Sequence, residues 1–302
     1  MNSREFQCAG PATLWLFARK LTSALLPPVL TALVGALVVA AMVCFAPGFG
    51  MDEEQMDPRL SRESLLALRQ SHDAERNPVV FLAGWIGRAC KGETMMSPSL
   101  HQPVASLLAG RAPVTLALMA CGLLAAWCSA ILFVLPAAVW RLHGIDTACN
   151  LISAVAACLP AAGMAIVLFR FGGSAAWMIA AILFPKLYQY LRGLVRQGFA
   201  MPHVLAARAS GIREWRILLG YVVRPAVPQL LALAAISVNM GFGAAVAVEA
   251  ICDLPGIGQL AWKAALARDL PVLVSLTIVV TLATQLANAA SDLCTPAQWS
   301  RA

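Results

Sequence analysis

Charge is what this sequence of 302 residues has least of. Asp, Glu, Lys and Arg make up 12% of it, against about 25% in soluble domains. A hydrophobic share of 60% takes their place. That balance excludes a water-soluble globule and fits an integral membrane protein. Histidine is also scarce: His72, His101, His143 and His203 are scattered, and none has a carboxylate or cysteine partner at ligand spacing. GxSxG, HExxH and GxxxxGK[ST] are all missing, so serine-hydrolase, zinc-protease and Walker-type ATP-binding readings lack their residues. The nine cysteines include no C-x-x-C pair, which leaves a zinc or thioredoxin-type site without support. Cys90 and Cys252 could both face outside and pair, although two free thiols are expected. No catalytic residue, metal or cofactor is expected. The net charge is +7, but the basic residues sit at the ends of apolar runs rather than in a patch, so a nucleic-acid partner is not expected.

Long apolar runs are present in number. A helix needs about 20 apolar residues to cross the hydrocarbon core. The runs Leu21 to Phe49, Ala112 to Trp140, Ala148 to Phe169, Phe171 to Leu191, Ala226 to Val248 and Leu270 to Ala290 give six candidate spans. The fourth contains Pro185 and Lys186, and its end is expected near Lys186, which can snorkel to an interface. The fold class expected is all-α, polytopic, with about six transmembrane helices. The N-terminal run starts late and has no A-x-A-like site, so a cleaved signal is not expected.

Loop charge sets the orientation. With the N-terminus inside, the inner segments hold Arg4, Arg19, Lys20, Arg141, Lys186, Arg192, Arg196, Arg208, Arg213, Arg216, Arg224 and Arg301. The short outer ones hold only Arg170, Lys263 and Arg268. The division that follows is a cytoplasmic N-terminus at 1–20, a first span at 21–49, an extracytoplasmic segment at 50–111, a membrane core at 112–291 with a cytoplasmic loop at 192–225, and a cytoplasmic tail at 292–302. In the 50–111 segment, Ser61 could cap a helix through Leu68, Arg76-Asn77-Pro78 reads as a break, and Val79 to Ile86 is expected on the outer membrane face or on a partner.

Two stretches stand out. The first, His203 to Pro228, is the most charged run of the second half. Pro202 suits a first helical turn, Gly211 suits a left-handed helix end, and a second helical run from Ile212 to Tyr221 is limited by Pro225. Ala206, Ala207 and Ala209 give the first helix a nearly bare surface that another backbone can approach. The second stretch, Glu249 to Leu260, packs Leu-Pro-Gly-Ile-Gly into a turn, with a helix expected from Gln259 to Ala267. It is either a hairpin dipping into the outer mouth or a tight surface turn. No acid lies mid-span, which weakens a proton-coupled carrier. Ser237 and Asn239, deepest in the fifth span, are expected to hydrogen-bond between helices.

Taken together, these residues resemble the permease subunits of ATP-binding-cassette importers, nearest the dipeptide/oligopeptide type. Ala206-Ala207-Arg208-Ala209-Ser210-Gly211 fits the A-A-x-x-x-G part of the family's cytoplasmic loop, with Leu205 where the general family has Glu. Val248-Glu249-Ala250, Leu254-Pro255-Gly256-Ile257-Gly258 and Ala267-Arg268-Asp269-Leu270-Pro271-Val272 are similar to that branch's V-E-x, I-P-G-L-G and A-R-D-Y-P-V run, in the same order. Arg224-Pro225-Ala226-Val227-Pro228 departs from it, with two prolines where one is usual. The resemblance implies a type I-like permease fold in a bacterial inner membrane, crossed several times with both termini cytoplasmic. It implies an ATPase-coupling helix at Ala206, Ala207, Arg208, Ala209 and Gly211, and an outer-mouth loop at Glu249, Pro255, Gly256, Gly258, Arg268 and Asp269. It further implies a second permease subunit in a heterodimer, two ATP-binding subunits, an extracytoplasmic solute-binding protein, surrounding membrane lipid, and peptides or a similar small solute as cargo. The alternatives are a stand-alone secondary carrier or channel, and a scaffold that transports nothing.

Overall fold

The computed structural model describes residues 11–45, 77–93, 95–139 and 143–294. The expected Ser61 to Leu68 helix, and the tail beyond Cys294, lie outside these residues.

Helix α1 (Pro11–Cys44) carries Pro27 and Pro28 within it, at the start of its apolar stretch from Leu26. Ala32, Ala36 and Ala40 are buried at a spacing of four, and their small side chains let α1 approach the last helix closely. Leu26, Leu30, Val34, Val38 and Met42 are exposed on the other side, a stripe suited to lipid. Helix α2 (Pro78–Cys90) begins at the expected break: the Asn77 side chain accepts from Val79 N at 3.1 Å. Val79, Val80 and Ile86 stay exposed, an apolar face open to membrane or partner, while the opposite face turns inward. Phe81 and Leu82 are buried, and Trp85 Nε1 donates to Ser275 Oγ at 3.0 Å.

Helix α3 (Val104–Val139) starts before the expected Ala112, so Arg111 is helical. The run expected as one span from Ala148 is two helices, α4 (His143–Ala157) and α5 (Ala161–Arg170), bent by 109°. Pro160 stands at the corner in extended backbone. It has no N–H to continue the ladder and its ring crowds the preceding turn. Helix α6 (Ala175–Phe199) runs eight residues past the expected Leu191, and Lys186 is exposed in its middle rather than marking its end. Arg192 is carried inside this helix because an acid meets it: its guanidinium clasps the Asp146 carboxylate on α4, with Nη2 at 2.6 Å from Oδ2. Helices α3 and α6 pack most intimately. A Cβ on Gly122 would lie 2.7 Å from Ile179 Cγ2, so only glycine permits that approach.

Helix α7 (Pro202–Ala209) and the single turn α8 (Glu214–Ile217) follow. One wide π-helical turn, Leu218–Val223, then leads without a break into α9 (Arg224–Ile251). The fifth span was expected to begin at Ala226, with Pro225 as a stop; instead the helical path is continuous from Glu214 to Ile251. A widened turn leaves room for the rings and missing donors of Pro225 and Pro228. Helix α10 (Ile257–Leu266) matches the expected short outer helix to within two residues at its start, and α11 (Leu270–Cys294) closes the bundle against α1. Four stretches, in α1, α3, α8–α9 and α11, are long and apolar enough to cross a membrane, and the α4–α5 pair makes a fifth if counted as one broken span. Helix α6 is long enough but carries Lys186, Arg192 and Arg196. The protein is an all-α polytopic membrane protein.

Candidate functional site

The first candidate site is α7 with its attachments. Its eight residues are too few to be helical alone in water, so neighbours must hold them. Val204 and Ala207, three apart on one face, are buried against the body. His203 Nε2 lies 3.0 Å from Tyr221 O in the π turn, and the two rings stack with centroids 6.5 Å apart. At the other end Arg208 grips Glu214 through two bonds, Nε to Oε1 at 2.9 Å and Nη2 to Oε2 at 3.1 Å, while its guanidinium lies 5.2 Å from the centre of the Phe199 ring. An exposed pair contributes about 0–1 kcal/mol, and the ring contact about 0.5–1 kcal/mol. Their value is geometric: α7 is fastened to the end of α6, to α8 and to the π turn together.

The chain leaves α7 through Gly211, whose φ of +74° is the left-handed conformation expected of it. Gly211 N and Ile212 N donate back to Arg208 O and Ala207 O at 2.9 and 3.2 Å. Of the alanines expected to form a bare surface, Ala206 and Ala209 are exposed, but Ala207 is turned inward at 6% exposure. Leu205, at 66%, completes the open face with Ser210. The facing set is therefore Leu205, Ala206, Ala209 and Ser210.

The second candidate site is the loop expected at the outer mouth, which lies at the far end of α9, about 42 Å along a helix of 28 residues rising 1.5 Å each. Glu249 is fully buried. Its Oε2 accepts from Gly258 N at 2.7 Å and Gln259 N at 3.3 Å, so the carboxylate sits against the donors of the first α10 turn, where a negative charge is favoured. Oε1 has no partner among the described residues. A Cβ on Gly256 would fall 2.1 Å from Oε2, and one on Gly258 would fall 2.6 Å from Val246 Cα. Both glycines are thus needed for contact rather than for turn conformation. Pro255 is exposed beside them. Ile257 N donates to Thr115 Oγ1 on α3 at 2.7 Å, and Arg111 Nη1 donates to Gln259 Oε1 at 3.1 Å. Leu260 and Ala264 are buried. The loop is a hairpin seated among α3, α9 and α11, not a surface turn.

Asp269 is the third anchor of this region. Its Oδ1 accepts from Val272 N at 3.2 Å, capping α11. Its Oδ2 accepts from the hydroxyls of Ser97 and Ser99 and from Ser99 N, which ties in the turn before α3. Arg268 is exposed, with φ +54°, and is brought to neither cluster. Ser97 and Ser99 escaped sequence reasoning, and Arg111 and Thr115, in a stretch similar to the family's entry to the second span, were not tied to this loop, because each contributes a single polar group from a distant segment. Ser237 links helices as expected, accepting from Trp127 Nε1 at 3.2 Å. Asn239 does not: it is exposed and lines a cavity of about 280 Å³ with Thr115, Phe242 and Gly258. Cys90 and Cys252 are both free. Cys252 Sγ contacts Met178 Sδ at 3.7 Å, and burial pushes its thiol above the ordinary cysteine range. No group of three or more metal-ligand side chains occurs among the described residues.

Residues 130–297 match the family model described as "Binding-protein-dependent transport system inner membrane component". A Brucella suis biovar 1 protein provisionally named a peptide permease is 25% identical over 277 residues, covering 82% of this chain and 84% of the relative. The oligopeptide transport system permease protein AppB of Bacillus subtilis is 24% identical over 277 residues, covering 82% and 87%. The nickel import system permease protein NikB of Staphylococcus aureus is 27% identical over 209 residues, covering 64% and 63%.

Proposed function

Because this chain belongs to the family of binding-protein-dependent transport system inner membrane components, we propose that α7 is where ATP-driven motion enters it. The protein is a multi-pass inner-membrane permease subunit of an ABC importer, a transport component rather than an enzyme. Such a permease works with an ATPase and with a binding protein that delivers the solute. The finer arrangement is our reading: two ATPase subunits beneath, a second and different permease subunit beside it, both termini inside, 50–111 outside, and about six crossings when α6 and the broken α4–α5 pair each count. Cargo is a peptide or similar small solute, a reading supported by the names of two relatives above, while the nickel relative keeps a metal cargo in view.

The observation that carries the coupling role is that α7 is fastened at both ends while Leu205, Ala206, Ala209 and Ser210 stay open. Small side chains let a groove on an ATPase close around this face. A fastened helix then passes on a shift instead of absorbing it. Closure of the ATPases drags α7, the π turn follows through His203, and α9 moves as a strut. At its far end Glu249 grips the first turn of α10, so the outer hairpin shifts with it. Motion at the inner face thereby alters the outer mouth.

Cysteine cross-linking of the intact complex tests this. With Ala209→Cys, a short cross-linker is expected to capture an ATPase subunit, and captured complexes should hydrolyse ATP without uptake. Capture of no ATPase subunit, with uptake by this chain independent of ATP, would instead establish the stand-alone carrier.

A further inference from the structure

Two cavities are stacked along one seam between α3 and α6. The inner one, about 430 Å³, is lined by Asp146, Arg192, Arg196, Phe199 and Arg208 with Ala137 and Ala138. The other, about 230 Å³, is lined by apolar side chains alone, among them Trp127, Ile131, Leu194 and Leu230. Val134 and Val195 line both. Along α3 the order Trp127, Ile131, Val134, Ala138 is a single helical face, and along α6 Leu191, Val195, Phe199 is another. The two spaces adjoin at Val134 and Val195 and form a groove of two compartments, the apolar one closed on its other side by the π turn and α9 and the basic one at the end near α7.

The charges of the basic end are unequally engaged. Arg192 spends Nε and Nη2 on Asp146 and Nη1 on Asn150, so that pair is neutral. Arg208 spends Nε and Nη2 on Glu214, which leaves Nη1 unused. Arg196 is exposed and has no hydrogen-bond or ion-pair partner among the described residues. A net positive site with free guanidinium donors suits a phosphate, which arginine forks match well. An all-apolar continuation suits a hydrocarbon tail. We propose that this groove holds one anionic phospholipid of the inner leaflet, with its phosphate at Arg196 and Arg208 Nη1 and an acyl chain against Ile131 and Leu194. Basic pockets between helices on the cytoplasmic side are a recurrent form of headgroup site. The inference rests on the orientation given above, in which α7 is cytoplasmic. The lipid would lie beside the coupling helix and touch Phe199, the ring under Arg208, so leaflet composition would bear on how firmly α7 is held.

The test is native mass spectrometry of the purified complex released from bilayers of equal phosphatidylglycerol and phosphatidylcholine. Selective retention of phosphatidylglycerol is expected. Arg196→Ala should lower it about fivefold, from the loss of one near-surface cation, and Ile131→Trp, which fills the tail groove, should lower it as well. Complete displacement by millimolar inorganic phosphate, with Ile131→Trp without effect, would overturn the lipid in favour of a free anion. Equal retention of both lipids, unchanged in Arg196→Ala, would overturn the site altogether. So would cross-linking of Ile131→Cys to the second permease subunit, since a protein helix would then fill the groove. Retention is read without ATP or cargo, so its failure leaves the coupling role standing, and failed coupling leaves the lipid site standing.

Discussion

Glu249 shows how much one buried carboxylate organises. It takes two backbone N–H groups of α10 that would otherwise be unpaired. Glu249→Ala is expected to lower stability by about 1–3 kcal/mol, the cost of leaving buried donors unmet, whereas Glu249→Gln keeps an acceptor and should lose less. Thermal melts of the detergent-solubilised protein, followed by tryptophan fluorescence, would rank the two. Gly256→Ala should cost about 1–3 kcal/mol by overpacking, because its Cβ would meet that carboxylate. Gly193, half-buried within α6 and with nothing within 4 Å of its Cβ position, is the control: Gly193→Ala should stabilise by about 0.5–1 kcal/mol. Cys252 gives a pH test. Its thiol is raised by burial, and the thiolate is the reactive form. Maleimide labelling should thus be slow at neutral pH and accelerate only above the ordinary thiol range. Fast labelling at pH 7 would mean that the Met178 contact opens.

At the scale of elements, α7 is the part whose placement was most legible. Pro202 before it and Gly211 after it are residues whose backbone limits force a start and an end, so its bounds could be read within a residue or two. Its facing could not. Eight residues give only two turns, and which alanine points inward depends on where α6 and α9 lie. The proline in α4–α5 was passed over because a run of apolar residues long enough to span outweighs a single break in any reading of hydropathy. Pro225 misled in the opposite direction, since a π turn that absorbs it has no sequence signature. The Asp146–Arg192 clasp joins residues 46 apart, and nothing local announces it. These facts choose the variants. Ala207→Trp would disrupt packing and Gly211→Leu would strain a left-handed residue, so neither isolates docking. Ala206→Trp changes only the open face and should leave the protein in the membrane with uptake lost and ATP hydrolysis retained. His203→Ala together with Glu214→Ala loosens both ends of α7 and should also uncouple, with hydrolysis again preserved; coupled uptake in that double variant would mean that the fastenings are not part of transmission.

For the whole molecule, the account is of one continuous strut. Helix α7 with its π turn and the hairpin held by Glu249 sit at opposite ends of α9, about 42 Å apart for its 28 residues, and the core is tied by close α3–α6 packing. The all-α membrane character was legible at this scale because it rests on composition, which no local surprise can reverse. The sidedness of α7 is the claim on which everything else stands. The most direct measurement introduces Ser210→Cys and adds a membrane-impermeant maleimide to sealed right-side-out and inside-out vesicles. The account predicts labelling only in inside-out vesicles, reduced when the ATPase subunits are bound. Labelling of Ser210→Cys in right-side-out vesicles would place α7 on the outer side and contradict the account.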